Sequence, residues 1–411
     1  MSKTITIILL LLLFAIFGAF NTIIFKHLYN EKGKNINFSH NWFILILMYF
    51  AEMLGIPLYY IIKYITKKKE IQEDLETKDI VLFSIEPKPV IKEQLSKTKK
   101  IFLLGYPFIF DLIISSIELF CLIIFPASIY KMLKGVIVII ITFLISKFYL
   151  KNEHNLDQYV SLIISVIGLI LTGISTFLGE KNNYFDDNNI NISLIIISFI
   201  LFLIQMFFHA AFFSIEEYYM KKYSFHPFLF IGMQGLFGFI FNIILCIIFS
   251  YIKCGSDPSD FLKNLCTKDG NDIWRIENVI FAFEQIFDNH KILIYVIVLT
   301  ISLFVFNMFG IGIIKTGGAT ARALVDNATS LFVWIYFLLP FVNDELKESF
   351  NWVRLIGLIL IFGNIIIYLG VLRLEERRRI RRQLKVTTDL DKLYHNLDGG
   401  QNEDIISLTE T

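Results

Sequence analysis

Long apolar runs separated by short polar stretches occupy most of the chain, at residues 4–25, 42–65, 101–125, 127–146, 158–178, 190–215, 228–252, 293–314, 323–342 and 353–372. Each is roughly 20 residues, the length an α-helix needs to cross a bilayer and about twice that of a barrel strand. Only helices satisfy their own backbone polar groups in lipid, so the pattern predicts an all-α polytopic membrane protein with ten transmembrane helices. The first run has one lysine before it and no small-residue cleavage site after it, and reads as a retained span.

A weak internal repeat divides the pattern. Lys134-Gly135, a span, a polar turn and Gln158-Tyr159 through Gly168 are echoed by Thr329-Ser330, a span, a polar turn and Trp352 through Gly357 and Gly363. Five spans per half, an odd number, would invert one half relative to the other, so the expectation is two inverted five-helix repeats. The repeats are 1–180, with a loop at 66–100, and 181–372, with a loop at 253–291; a basic, disordered tail follows at 373–411. In carriers built this way the binding site lies at the repeat interface near the bilayer midplane.

Composition fits a membrane protein: 55% of the 411 residues are hydrophobic and only 18% charged, against about 25% charged in soluble domains. The net charge of +1 says little, because the charges are segregated. Lysines crowd the segment from Lys67 to Lys100, and arginines the tail from Arg373 to Arg382. The positive-inside rule makes both segments, and hence both termini, cytosolic. That puts the sequon Asn37-Phe38-Ser39 on the other side, where Cys254 and Cys266 also share a polar loop and could pair in an oxidising compartment. In that loop Ile276, Val279, Ile280, Phe283 and Phe287 recur at helical spacing, as in an amphipathic surface helix or a short packed loop helix.

Polar residues inside the spans are the candidate chemistry. Lys131 and Lys134 lie about one turn inside the fourth span, where an ammonium costs on the order of 2.5–3.5 kcal/mol unless it faces protein or a watery cavity. Asp111, Ser115 and Glu118 share one face of the third span, and Glu52 stands in the middle of the second. In the first span Asn21 and Thr22 share a face with Gly18. In the ninth, Arg322, Asp326, Thr329 and Ser330 fall along one stripe, with Arg322 near enough to the end to snorkel. Two readings stay open: a structural ion-pair network, or a solute site in which Asn21, Lys131, Lys134, Asp326 and Thr329 bind substrate while Glu52, Asp111 or Glu118 carries the coupling proton. His209 reads as a hydrogen-bonded interior residue, and Glu216, Glu217, Lys221, Lys222 and His226 as a solvated cytosolic turn. No motif for catalysis, a metal, a cofactor or nucleic acid is present, and the expectation is not an enzyme.

Several stretches taken together resemble a known family: Asn21 with Lys26, Phe38-Ser39-His40, Glu52, Asp111, Met132-Leu133-Lys134-Gly135 with Thr142, Glu216-Glu217 running to His226-Pro227, Gly235-Leu236-Phe237-Gly238-Phe239, Glu277-Asn278 with Ala282-Phe283, and Asp326. They resemble the drug/metabolite transporter superfamily, specifically the F subfamily of the nucleotide-sugar-transporter-like solute carrier family 35, with the chloroquine-resistance transporters as distant relatives. The resemblance covers residues 18–370. It implies ten helices in two inverted halves, a central cavity, alternating access, and Lys134 and Asp326 on the cavity wall. Lys131 departs from the pattern, standing where a glutamine is usual, and Thr329 stands where a basic residue is usual.

The expectation is a secondary-active, proton-coupled carrier of a small polar or charged metabolite across an intracellular membrane. The alternative is a membrane scaffold or receptor with a purely structural ionic network. Tyr394-His395-Asn396-Leu397 fits a tyrosine-based sorting signal read by adaptors in the cytosol, which with the resemblance leans to lysosome or vacuole, with Golgi or another endomembrane as the alternative. The expected partners are the small-molecule solute and the lipid bilayer, with the chain a monomer or homodimer.

Overall fold

The computed structural model describes residues 3–73, 96–124, 127–152, 156–179, 192–223, 225–255, 266–268, 273–340, 350–361 and 363. The sorting match, the basic tail and most of the lysine-rich segment lie outside the described residues, as does the side chain of Lys131.

Helix α1 spans Lys3–Asn30 and ends in a two-stranded hairpin, β1 (Lys32–Gly33) and β2 (Ile36–Asn37). The second apolar run is split into α2 (Asn41–Met53) and α3 (Gly55–Glu73), and the third into α4 (Lys97–Gly105) and α5 (Phe108–Ile124). The second break falls at Pro107, which has no backbone N–H to continue the ladder. There follow α6 (Ala127–Phe148), α7 (Leu156–Gly179), α8 (Ile192–Tyr223) and α9 (Pro227–Tyr251), the last with proline in its first turn, where the missing donor costs nothing. Strands β3 (Lys253–Gly255), β4 (Thr267–Lys268) and β5 (Trp274–Arg275) form a small sheet in the order β3-β5-β4, and Cys254 is disulfide-bonded to Cys266 beside it.

A short helix, α10 (Val279–Asp288), leads into α11 (His290–Phe337), whose 48 residues carry a break at Gly318 with φ 83°. At 1.5 Å per residue α11 would be about 72 Å long, more than twice a bilayer core, so this break separates the eighth and ninth apolar runs. Helix α12 (Trp352–Ile361) is the described part of the tenth run. Among the described residues, seven helices are long and apolar enough to cross a membrane, and 137–148 and 352–361 are shorter apolar helices.

The core is organised on α11, which lies against α1, α6 and α8. Phe14, Ala15 and Ala19 of α1 and Ile311, Ile314, Ala321 and Leu324 of α11 are buried there. The outer faces carry isoleucine stripes: Ile163, Ile167, Ile170 and Ile174 on α7, and Ile240, Ile244, Ile247 and Ile248 on α9. Such stripes would be a liability in water and are the expected surface in lipid.

One end of the bundle is capped by a polar clamp. His40, at the N-cap of α2, places Nδ1 2.5 Å from Glu277 Oε1 and Nε2 3.0 Å from Gln285 Oε1. Glu277 Oε2 accepts from the N–H groups of Trp42 and Phe43, satisfying the free donors at the start of α2. Gln285 Nε2 in turn donates to the carbonyls of Gly33 and Ile36. The hairpin after α1 is thereby fastened to α10. Helix α10 buries Phe281, Ala282, Gln285 and Ile286 and exposes Ile280 and Phe287, the amphipathic pattern of its sequence.

Candidate functional site

A central cavity lies between α1, α2, α5, α6, α8, α9 and α11. Most of its wall is apolar, but nearly every span contributes a polar or charged group. Helix α2 is set by a close approach: methyl groups at Gly235 and Gly238 of α9 would strike the Glu52–Met53 backbone region and the Tyr49 ring. The glycine motif of α9 is therefore a packing surface that lets α2 carry Glu52 into the cavity. There Glu52 Oε1 accepts a hydrogen bond from Asn307 Nδ2 of α11 at 2.9 Å.

Helix α5 brings Asp111, Ser115 and Glu118 to the wall, in keeping with their helical spacing. Lys134 of α6, 4% exposed, donates to Glu118 Oε2 at 2.9 Å. Asn21 of α1 lines the same space with its Oδ1 unpartnered. Asp326 also lines it, again with one unpartnered oxygen.

Thr329 is different. It is buried, its hydroxyl donates to the Asp326 carbonyl at 2.6 Å, and its methyl faces Gly18 of α1. It is not among the cavity-lining residues, and position 329 packs α11 on α1. Asn327, next to Asp326, packs against Gly135 of α6 and donates to its carbonyl at 3.5 Å.

The structure adds residues that the sequence reading placed elsewhere. Arg322 is not a snorkelling end residue: it lines the cavity at 7% exposure, with its guanidinium 4.4 Å from the Phe14 ring centre, 5.0 Å from Phe306 and 5.4 Å from Phe213. Stacking on aromatic faces is a favourable setting for a guanidinium. Asp326, Glu216 and Glu52 are the acids close enough to act on it electrostatically. A methyl group at Gly310 would overlap the guanidinium, so that glycine is the space it occupies.

Glu216 and Glu217 are not a solvated turn either; they are 3% and 2% exposed. Glu216 lines the cavity with His209 and Phe212, at i, i−7 and i−4 on α8. Glu217 caps the second part of α11: its Oε2 accepts from the Ala319 N–H at 2.7 Å, and its Oε1 accepts from Asn152 Nδ2 at 3.0 Å and from Lys221. The signal available in the sequence was the spacing His209, Phe212, Glu216, which continues the α8 periodicity through residues that look like a charge run. Asn307 gave no such signal.

No group of three or more metal-ligating side chains occurs among the described residues.

No family model matches the chain. Over 247 residues it is 26% identical to human Solute carrier family 35 member F6, a match covering 60% of this chain and 61% of that protein. The rat protein of the same name is 25% identical over 247 residues, 60% of each chain. An uncharacterized protein of Schizosaccharomyces pombe is 27% identical over 276 residues, 67% of this chain and 75% of its own length. The chain thus spans about 61% of the length of the human relative it matches. One solved crystal structure aligns with 90% of this chain at 9% identity and a TM-score of 0.48, a likeness too slight to carry an argument. The sequence matches bear out the resemblance carried by the motifs, to the F subfamily of solute carrier family 35 within the drug/metabolite transporters.

Proposed function

We propose that the protein is a secondary-active solute transporter working by alternating access, coupled to protons, that moves a small polar or charged metabolite across an intracellular membrane. The observation that carries this reading is the polar equipment of the cavity. Asn21 Oδ1, Asp326 Oδ1 and Arg322 Nε are buried there without hydrogen-bond partners. A purely structural network, the competing scaffold reading, would satisfy its members, because an unpaired buried polar group is costly. A site that a ligand completes would leave them open.

Ten helices in two inverted halves are the architecture this reading uses. It is supported by contacts between the segments that the repeat pairs: Gly135 of α6 meets Asn327 of α11, and Gly168 of α7 meets Gly357 of α12. The cavity also has a fastening at each end that joins the two halves, the His40–Glu277–Gln285 clamp and the hydrogen bond from Asn152 to Glu217. Alternating access would release them in turn. A ligand or proton shifts that equilibrium only by binding the two states unequally, and Glu52, Asp111 and Glu118 are the coupling candidates. We place the clamped end on the non-cytosolic side, with both termini cytosolic, supported by the basic segments and by the Cys254–Cys266 disulfide. Lysosome or vacuole is the organelle we propose.

The test is uptake into proteoliposomes of a panel of amino acids, short peptides, amines and nucleotide sugars, with and without a pH gradient. Accumulation of one class that collapses with the gradient is the expected result, and Lys134→Met should abolish it while the protein stays folded. No uptake from a demonstrably folded preparation would leave the scaffold reading standing.

A further inference from the structure

The charges of the cavity wall are uneven, and on the carrier reading above that imbalance names the class of solute. Among the described residues the wall holds five carboxyl groups, Glu52, Asp111, Glu118, Glu216 and Asp326, against two cations, Lys134 and Arg322. Lys134 is engaged by Glu118. Arg322 therefore stands alone against four acids, and it meets three phenyl rings rather than an ion-pair partner. Of the other titratable groups, His209 lines the cavity, and the Tyr49 and Tyr130 phenols lie beside the acids. A third cation, such as Lys131, would still leave the acids in the majority.

Carboxylates gathered in a low-dielectric space with too few cations must take up protons or another cation. Two of the unpartnered atoms point the same way. Asn21, 5% exposed, turns a free carbonyl oxygen into the cavity, and Asp326 does so with a free carboxylate oxygen. Both are acceptors and call for N–H donors, whereas Arg322 Nε, the unpartnered donor on the wall, belongs to a guanidinium set among three phenyl rings. A phosphate or carboxylate solute would meet unpartnered acceptors at Asn21 and Asp326. Phe25 and Phe212, on the same wall, add aromatic surface for a cation or an apolar body.

We propose that the solute is an organic cation bearing N–H donors, an amine or guanidine, which seats against Asp326 and Asn21 and displaces protons held by the cavity carboxyl groups. Protons and solute then occupy one site alternately, which makes the carrier a proton/cation exchanger.

The binding test uses the purified full chain in weakly buffered detergent with a pH indicator, titrated with agmatine, putrescine and tyramine, and with uridine diphosphate glucose as the anionic probe. At least one amine should release protons saturably and the nucleotide sugar none. Asp326→Asn should weaken that response about tenfold without lowering the melting temperature, and Glu52→Gln should reduce the protons released per amine bound. In proteoliposomes the amine should accumulate when the lumen is the more acidic side. Proton release without flux upholds the cation site and overturns the carrier reading. Nucleotide-sugar flux with no response to amines upholds the carrier and overturns the cation proposal. Accumulation driven by acid outside overturns exchange, and silence toward all three amines overturns the site.

Discussion

The Lys134–Glu118 pair and the ring-enclosed Arg322 show how much of this protein rests on single side chains. Removing one member of a buried ion pair leaves the other charge uncompensated, so Lys134→Met should lower stability by about 3 kcal/mol, while Lys134→Met with Glu118→Met recovers most of it. Thermal unfolding of the purified variants measures both. Gly310 makes a complementary case, because its missing side chain is the room in which the Arg322 guanidinium sits. Gly310→Ala should cost about 1–3 kcal/mol through overpacking. Adding Arg322→Ala should make the Gly310→Ala change nearly neutral, and equal costs in both backgrounds would show that the two positions do not compete for space.

Among the elements, α11 carries the decisive local feature. Its ninth-run half begins only because Gly318 adopts a left-handed φ and Glu217 then receives the Ala319 N–H. Gly318→Ala should destabilise by about 1–3 kcal/mol, the cost of that backbone region for a residue with a Cβ. Glu217→Ala removes a helix cap and should cost about 1–2 kcal/mol, with a smaller loss for Glu217→Gln. A melting temperature unchanged in both would mean that the break holds without its cap. The position was hard to read from sequence. Residues 315–319, Lys-Thr-Gly-Gly-Ala, look like a turn, but nothing local says that a glutamate about 100 residues away closes it.

For the whole molecule, the clamp and the disulfide make the capped end a folded unit that joins distant segments. His40→Ala should leave Glu277 to its backbone donors and Gln285 Oε1 without its imidazole partner and cost about 1–3 kcal/mol, more than an exposed substitution such as Lys34→Ala at the Lys34–Glu284 surface pair. Replacing Cys254 and Cys266 by serine opens a loop with a sequence separation of 12 and should cost about 2–3 kcal/mol. In sealed vesicles, a membrane-impermeant maleimide should label these cysteines after reduction from the non-cytosolic side only. Labelling from the cytosolic side would reverse the proposed orientation.

The sequence by itself determined the class of the protein, since apolar runs of bilayer length leave the backbone no alternative to helices, and it located Asn21, Glu52, Asp111, Glu118, Lys134 and Asp326 as polar residues that lipid would not tolerate. Helical periodicity also put Asp111, Ser115 and Glu118 on one face. Periodicity within one helix, however, carries no information about which neighbour that face meets. Only the tertiary structure decided that Thr329 packs on Gly18, that Arg322 turns inward onto three rings from three helices, and that Glu216 lines the cavity while Glu217 caps a helix. Those outcomes depend on contacts between residues far apart in the chain, and such contacts are fixed by packing rather than by local pattern.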